Sequence, residues 1–180
     1  MRVISGIHGG RRLRAPDTPD TRPVTDRVKE SIFSSLGSFV VQARVVDLFA
    51  GAGSFGIEAL SRGATSVTFV EKGGRALAAL DANLSDLGLS ARVVRSSVER
   101  WVEENSAEFD LVFCDPPWPL PSVDLADLLD SLASRLAIGA LVVVTRRSSD
   151  SVPEPVSLRI DDERRMGDTR IIRYRLEDRS

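Results

Sequence analysis

Residues 47–56 read DLFAGAGSFG, and this stretch decides the fold predicted for the chain. Gly51, Gly53 and Gly56 form a G-x-G-x-x-G pattern between an apolar run and a segment with helical periodicity. Glycine allows a tight turn and a close approach of the backbone to a ligand, and a helix that begins there presents amide donors to an anionic group. The stretch therefore predicts a strand, a ligand-binding loop and a helix in succession.

Around this loop the chain alternates between apolar runs and helical segments. The predicted strands cover 44–49, 66–71, 91–94, 109–114 and 140–145, and the predicted helices cover 26–36, 54–62, 73–87, 97–104 and 123–137. Such alternation indicates right-handed crossovers and an α/β fold, with a parallel sheet covered by helices on both faces. Two further strand-like runs, 157–160 and 170–175, have no helix between them and predict a closing antiparallel hairpin.

Two carboxylates near the glycine loop narrow the choice of ligand. Glu71 ends the next predicted strand, twenty positions after Gly51, where a carboxylate can accept hydrogen bonds from both hydroxyls of a ribose. Asp47 comes just before the loop, and an anion there suits the cationic amine or sulfonium of S-adenosylmethionine better than a pyrophosphate. The pattern still permits a nicotinamide cofactor, or a tight packing turn without any ligand.

The turn after the third predicted strand should lie against the adenine of such a cofactor. Ser97 could bond the adenine edge and the Val98 amide could donate to a ring nitrogen, although Ser96 or Ser97 could equally cap a helix. The predicted cofactor contacts also include Phe49 and Lys72, which flank the two carboxylates, together with Asp115.

Residues 115–118 read DPPW and follow the fourth predicted strand, so they should project to the same side of the sheet as the glycine loop. An aromatic amine is a poor nucleophile because its lone pair is delocalised into the ring. The Asp115 carboxylate and the Pro116 carbonyl could accept hydrogen bonds from its two N–H groups and direct the lone pair at a methyl carbon. Pro116 and Pro117 stiffen the loop, and Trp118 offers a face on which a base can stack.

The DPPW loop therefore predicts direct methyl transfer to a planar amino group, with these four residues as the catalytic set and no metal. The structural alternative is a plain turn after a strand, with Trp118 in the core. Cys114, just before the loop, is expected to be a buried strand residue, because the only histidine of the chain lies far away in sequence, at position 8.

The N-terminal residues differ from the rest of the chain in their pattern and charge. We therefore divide the chain into an extension with a linker, residues 1–23, and a domain, residues 24–180. Residues 2–5 and 11–14 are extended runs around a glycine-rich loop, which predicts a β-hairpin. The first 30 residues hold seven basic and four acidic side chains, a net charge of +3, whereas the whole chain has −2. A basic segment on an acidic body is either a solvated tail or a surface that meets phosphates.

The bulk composition favours one compact domain in the cytoplasm. The chain has 180 residues, of which 42% are hydrophobic, and its single cysteine cannot form an internal disulfide. No apolar run has the length of a membrane span and the first residues have no signal-peptide core. We expect a cytoplasmic monomer that does not contact a membrane.

With these motifs in view, the chain resembles the class I S-adenosylmethionine methyltransferases, which have a Rossmann-like fold. It resembles more closely the bacterial small-subunit (16S) ribosomal RNA guanine-N2 methyltransferases of the RsmD type. The resemblance covers essentially the whole chain and is carried by residues 9–13, 22–30, 47–53, 115–117 and 167–169. The run 22–30, RPVTDRVKE, is the most specific of these, because many methyltransferases share the glycine loop.

The resemblance implies a seven-stranded, mostly parallel sheet whose last strand is reversed. It implies methylation of a guanine N2 in small-subunit ribosomal RNA, within an assembling small ribosomal subunit, with S-adenosylhomocysteine as the product. It also implies that basic residues near the N-terminus contact RNA phosphates, namely Arg11, Arg12, Arg14, Arg22 and Arg27. Trp118 stands where the family usually has Phe or Tyr, and Ser97 where a longer polar residue is common.

Three other functions remain open at this point. A nicotinamide-dependent oxidoreductase fits the glycine loop but leaves the DPPW loop unexplained. An amino methyltransferase acting on DNA adenine or protein glutamine shares the same catalytic loop. A non-enzymatic RNA-binding assembly factor would have no need of that loop.

Overall fold

The computed structural model describes residues 1–16 and 24–176, which contain one seven-stranded sheet flanked by helices. In chain order the elements are α1 Asp26–Leu36, β1 Arg44–Leu48, α2 Ser54–Ser61, β2 Ser66–Glu71, α3 Gly74–Leu87, β3 Arg92–Arg95, α4 Val98–Glu104, β4 Phe109–Cys114, α5 Ser122–Leu132, β5 Leu136–Arg147, β6 Leu158–Met166 and β7 Thr169–Leu176. Two short 3₁₀ helices, Gly37–Val40 and Ala133–Arg135, follow α1 and α5.

The strands lie in the order β3-β2-β1-β4-β5-β7-β6. Strands β1 to β5 pair in parallel, whereas β7 runs antiparallel to both β5 and β6. The predicted α/β class and the mostly parallel sheet with a reversed last strand are therefore confirmed. The strand order changes direction between β1 and β4, so a ligand site is expected beyond the carboxyl ends of these two neighbours.

Each face of the sheet carries its own apolar core, which explains why the central strands are continuously hydrophobic. On one face, Phe113 of β4 packs against Phe33 of α1 and Phe55 of α2, with ring centroids 5.2 and 5.1 Å apart. On the other face, Val112 and Cys114 pack in a cluster with residues of α4 and α5. Cys114 is buried, as predicted, and burial raises the pKa of its thiol.

Helix α1 forms where the sequence predicts it and for the predicted reason. Thr25 caps it, since its hydroxyl accepts a hydrogen bond from the Val28 amide at 3.3 Å, and Asp26 lies in the first turn. The residues that this helix buries include the predicted apolar set Val28, Ile32, Phe33 and Leu36. They also include Lys29, which the apolar pattern did not predict.

The predicted helix 123–137 is wrong in its last part. Helix α5 ends at Leu132, and β5 begins at Leu136, four residues before the predicted start of that strand. Gly139 has φ 77° and lies inside β5, where the register with β4 is irregular between Phe109 and Leu111. This glycine therefore forms a bulge in a strand rather than the end of a helix.

The tail hairpin is confirmed, but its first strand is longer than the predicted 157–160. Strand β6 continues to Met166 through a run of charged residues. Because this run has no apolar alternation, the sequence pattern does not predict it as a strand. It is one of the two edge strands of the sheet, and Asp161 forms ion pairs there with Arg173 and Arg175 of β7 at 2.6 and 3.1 Å. Charged side chains on an edge strand oppose pairing with another sheet.

Residues 1–16 pair as predicted, although they form one antiparallel bridge, Arg2 to Arg12, rather than two full strands. Val3 and Leu13 are buried in the same core cluster as α1 and α2, so this segment packs on the body of the domain. The predicted boundary at residue 23 lies outside the described residues. No helix in the described part of the chain is long and apolar enough to cross a membrane.

Candidate active site

The glycine loop follows β1 at the carboxyl edge of the sheet, and the side chain of Asp47 in β1 holds it by a hydrogen bond. The Asp47 side chain is 1% exposed, and its Oδ2 accepts a hydrogen bond from the Gly56 amide at 2.8 Å. Burial raises the pKa of Asp47 well above its usual value, and the nearby Asp115 and Glu71 carboxylates raise it further. Asp47 thus holds the first turn of α2, and its predicted contact with a cofactor cation stays a prediction.

The three glycines of the loop differ in what surrounds them. A Cβ at Gly53 would lie 2.4 Å from Leu80 Cδ1, and one at Gly56 would lie 2.2 Å from Phe69 Cε1. A Cβ at Gly51 would meet nothing within 4 Å. Gly56 is therefore required by the packing of α2 on Phe69, and Gly53 by its left-handed φ of 83°, whereas Gly51 faces the open space that a ligand can approach.

Replacing Gly56 with alanine is expected to destabilise the fold by about 1–3 kcal/mol, because the added methyl overlaps the Phe69 ring. Urea unfolding would measure the loss. Gly74→Ala is the matched control, since a Cβ there meets nothing within 4 Å, and the free energy of unfolding should stay equal or rise. Equal stability of Gly56→Ala and the wild type would contradict the packing role.

Glu71 ends β2 beside the glycine loop, and its carboxylate joins two turns. Oε2 accepts a hydrogen bond from the Gly51 amide at 2.9 Å, and Oε1 accepts from the amides of Lys72 and Gly73 at 2.9 and 2.6 Å. The Lys72 side chain is exposed, and Phe49, half-buried at the end of β1, has the left-handed φ of 57°. The structure therefore brings Glu71, Phe49 and Gly51 together at one edge.

Ser97 is the N-cap of α4, since its hydroxyl accepts a hydrogen bond from the Arg100 amide at 3.3 Å. Val98, the first residue of this helix, is buried. Of the two capping positions left open by the sequence, Ser97 is thus the one used. Capping leaves the predicted adenine contacts of Ser97 and Val98 as predictions.

The DPPW loop leaves β4 next to the end of β1, and the Asp115 amide lies 3.5 Å from the Leu48 carbonyl oxygen. The Asp115 carboxylate accepts a short hydrogen bond from the Thr145 hydroxyl of β5. Burial raises the pKa of Asp115 to about 6, against the opposite effect of this hydrogen bond. Thr145 was not predicted, because it is the last residue of the apolar run 140–145 and reads as part of a strand.

Trp118 is 38% exposed, which excludes the alternative that it belongs to the core. The guanidinium carbon of Arg147, the last residue of β5, lies 3.8 Å from the Trp118 ring centroid. The two side chains lie at the rim of a cavity of about 410 Å³, which is lined by Trp118, Arg147, Ser148, Ser149 and Asp168. Arg147 is a second residue that sequence reasoning missed, since an arginine after a strand has no distinguishing pattern.

The predicted RNA-binding arginines are spread along the N-terminal segment and α1. Arg14 forms an ion pair with Asp86 of α3 at 2.9 Å, and a guanidinium nitrogen of Arg11 lies 3.4 Å from the Asp86 carbonyl oxygen. Arg12 and Arg27 are exposed. Arg22 lies outside the described residues. The exposed arginines and the two near Asp86 remain candidates for phosphate contacts.

A buried ion pair joins α1 to α2, the helix that follows the glycine loop, and it also binds the N-terminal segment. Lys29 of α1 and Glu58 of α2 are both 0% exposed, with 3.5 Å between Nζ and Oε2. Glu58 also accepts hydrogen bonds from the amides of Ile4 and Ser5 at 2.7 and 3.0 Å, while Lys29 Nζ donates to Ser54 Oγ at 3.2 Å. Burial lowers the pKa of Lys29, and the Glu58 carboxylate opposes this shift.

Among the residues that the structure describes, no group of three or more histidine, cysteine, aspartate or glutamate side chains could hold a metal ion. The site instead consists of carboxylates, backbone amides and one exposed aromatic face. Such a donor set suits an organic cofactor with hydroxyl and amine groups and a planar substrate.

Known proteins resemble the chain over two thirds or more of its length. The family model described as "Conserved hypothetical protein 95" matches residues 1–175. Ribosomal RNA small subunit methyltransferase D of Haemophilus influenzae is 34% identical over 181 residues, which cover 98% of this chain and 92% of that protein. The Escherichia coli K12 protein of the same name is 40% identical over 119 residues, 66% of this chain and 60% of that protein.

The solved structure of yhhF from Escherichia coli matches with a TM-score of 0.87 and 33% identity, and the match covers 99% of both chains. Fold, family model and relatives agree with the resemblance stated from the sequence motifs. The chain therefore belongs to the matched family, the RsmD family of class I methyltransferases.

Proposed function

We propose that the protein transfers the methyl group of S-adenosylmethionine to the exocyclic N2 of a guanine in small-subunit (16S) ribosomal RNA. One observation carries this proposal: the parallel pairing of β1 with β4 sets the glycine loop beside the DPPW loop at the carboxyl edge of the sheet. The names of the relatives support ribosomal RNA as the substrate class. The choice of guanine N2 rests on the motif resemblance.

The residues at this edge fit S-adenosylmethionine. Gly51 faces open space, and the Glu71 carboxylate lies directly beside it, so a ribose seated there would find an acceptor for its hydroxyls. When bound, the cofactor supplies an electrophilic methyl group on a sulfonium. Gly51 and Glu71 would hold it, with Phe49 at the side of the same loop.

The DPPW loop would hold the nucleophile. The Asp115 carboxylate and the Pro116 carbonyl accept hydrogen bonds from the two N–H groups of the amine, which favours a lone pair aimed at the methyl carbon. Thr145 orients Asp115 from the neighbouring strand, and the two prolines restrict the loop. The nitrogen releases one proton after the transfer, so no strong general base is needed.

An exposed indole next to these acceptors favours a nucleobase over a protein amide. Trp118 lies at the open end of the loop, where a flat base can stack with about 1–3 kcal/mol of stabilisation. A base paired within a helix could not reach Asp115, so the target has to be flipped out or already unpaired. We place the reaction in the cytoplasm, on an assembling small ribosomal subunit, with one copy of the chain forming the site.

The test is incubation with S-adenosylmethionine labelled in its methyl group and small ribosomal subunits from cells that lack the enzyme. Nuclease digestion should release labelled N2-methylguanosine. Label in an adenine or in a protein of the particle would support another amino methyltransferase, and transfer to DNA offered in its place would support a DNA adenine methyltransferase. Binding of NADH without binding of S-adenosylhomocysteine would support an oxidoreductase, and RNA binding without any transfer would support an assembly factor.

Replacing both Arg11 and Arg12 with alanine is expected to weaken binding to ribosomal particles and to flatten its salt dependence. Loss of two phosphate contacts lowers the slope of log K against log[salt] by about 1.4–1.8. Binding titrations at increasing KCl concentration would measure the slope, and affinity for S-adenosylhomocysteine should not change. An unaltered slope would show that Arg11 and Arg12 do not contact the RNA backbone.

A further inference from the structure

Arg147 and Trp118 form a stacked pair, and both line a cavity to which the methyl-transfer step assigns no ligand. With 3.8 Å between guanidinium carbon and ring centroid, Arg147 covers one face of the indole, in the place where a stacked base would lie. The cavity of about 410 Å³ is within the range of roughly 300–1,000 Å³ found for ligand pockets. It therefore has room for a nucleobase.

The position of Arg147 in β5 ties it to the catalytic loop. Thr145 and Arg147 are two residues apart in one strand, so their side chains leave the same face of the sheet. Thr145 donates its hydroxyl hydrogen to Asp115, and Arg147 lies over Trp118, three residues further along the loop. A base whose amino group is held at Asp115 would thus extend towards Arg147.

Hydrogen bonds hold the backbone of one lining segment of the cavity in place. The Ser148 amide donates to the Asp168 carbonyl at 2.8 Å, and the Ser148 hydroxyl donates to the Gly167 carbonyl at 2.7 Å. These bonds fix the end of β5 against the turn between β6 and β7. Arg147 and Trp118, which also line the cavity, are exposed, so a shift of the guanidinium off the indole would open the stacking face.

The charges around the cavity suit an uncharged base edge better than a phosphate. Arg147 and Asp168 both line it, so a phosphate would approach the negative charge of Asp168 as well as the positive charge of Arg147. A guanidinium is a planar fork of donors that matches two adjacent acceptors, and guanine offers such a pair in O6 and N7, on the side of the base away from N2. Adenine presents a donor and an acceptor at the equivalent atoms.

We propose that Arg147 is the residue that selects guanine, by leaving the Trp118 face and donating to O6 and N7 of the target base as the base stacks on Trp118. This assignment rests on the proposed function, since it names the base-reading residue of the same site. Arg147 acts on the substrate and not on the cofactor, whose predicted contacts lie at and after the carboxyl ends of β1 to β4, with Asp115 as the contact after β4.

The experiment compares Arg147→Ala and Arg147→Lys with wild type on unmethylated small ribosomal subunits. We expect Arg147→Ala to raise KM about ten- to a hundredfold, the range for losing a bidentate base contact, with affinity for S-adenosylhomocysteine unchanged. Arg147→Lys should behave like Arg147→Ala, because an ammonium keeps the charge but lacks the fork. The salt dependence of particle binding should equal that of the wild type.

The matched control is Arg92→Ala, which removes the same charge from an exposed residue at the start of β3, and which should leave KM unchanged. A KM for Arg147→Ala equal to wild type would overturn the proposal. If Arg147→Lys had the KM of the wild type, and Arg147→Ala lowered the salt slope of particle binding by about 1, Arg147 would contact a phosphate instead of a base edge. Loss of S-adenosylhomocysteine binding would show a merely structural role. An inactive wild type on these particles would instead contradict the proposed function itself.

Discussion

The variant Asp115→Asn is expected to lose a hundredfold or more of the methyl-transfer rate, about the range measured when one preorganised polar group is removed from an active site. An amide in place of the carboxylate keeps the shape of the side chain but turns one acceptor into a donor, which repels an N–H group of the target amine. Single-turnover transfer of labelled methyl groups to small ribosomal subunits would measure the loss, and particle binding should persist.

The pH profile gives an independent test of the same carboxylate. Because burial raises the pKa of Asp115 to about 6, the carboxyl group is protonated below that value and loses its full capacity as an acceptor. We expect the wild-type rate to fall as the pH drops through about 6, and the residual rate of Asp115→Asn to lack this step. The same pH step in both proteins would assign the titration to another group.

The second large effect is expected on stability, from the buried Lys29–Glu58 pair. Glu58→Ala should lower the free energy of unfolding by about 3–5 kcal/mol, because it leaves the Lys29 ammonium buried and also removes the acceptor for the Ile4 and Ser5 amides. Urea unfolding monitored by circular dichroism would measure the loss.

Two comparisons separate the buried pair from ordinary surface charges. Glu58→Ala combined with Lys29→Met should recover part of the loss, since no unpaired buried ammonium remains. Arg100→Ala, which breaks an exposed i,i+4 ion pair with Glu104, should change the free energy of unfolding far less, because water screens this pair. A Glu58→Ala protein as stable as Arg100→Ala would show that the buried network contributes little.

The features predicted correctly from the sequence are those whose signal is local. The glycine loop, the capped helix α1 and the DPPW loop each appear within ten or so consecutive residues, and their periodicity or turn chemistry is sufficient to locate them. The boundary between α5 and β5 is predicted wrongly because a glycine such as Gly139 can end a helix or form a bulge in a strand. Only the register of β5 with β4 decides between the two.

The residues that were missed depend on contacts between distant parts of the chain. Thr145 meets Asp115 across 30 residues, and Lys29 meets Glu58 across 29, so neither pair has a spacing that a sequence reveals. The place of Asp47 before the loop predicts a cofactor contact, yet its burial and its bond to the Gly56 amide could not be foreseen. Register and burial, which set these contacts, are properties of the assembled sheet.

The hydrogen bonds of Asp47 and Glu71 to the glycine loop have a consequence for the energetics of cofactor exchange. They hold the amides of Gly56 and Gly51 through side chains of the protein itself, which restrains the loop before a ligand arrives. A preorganised receptor loses little conformational entropy when it is occupied, and more of the contact energy appears as affinity. S-adenosylmethionine and its product S-adenosylhomocysteine, which differ by one methyl group, would share nearly all of these contacts. Discrimination between them then depends on the sulfonium charge and on the space before Asp115, rather than on closure of the loop.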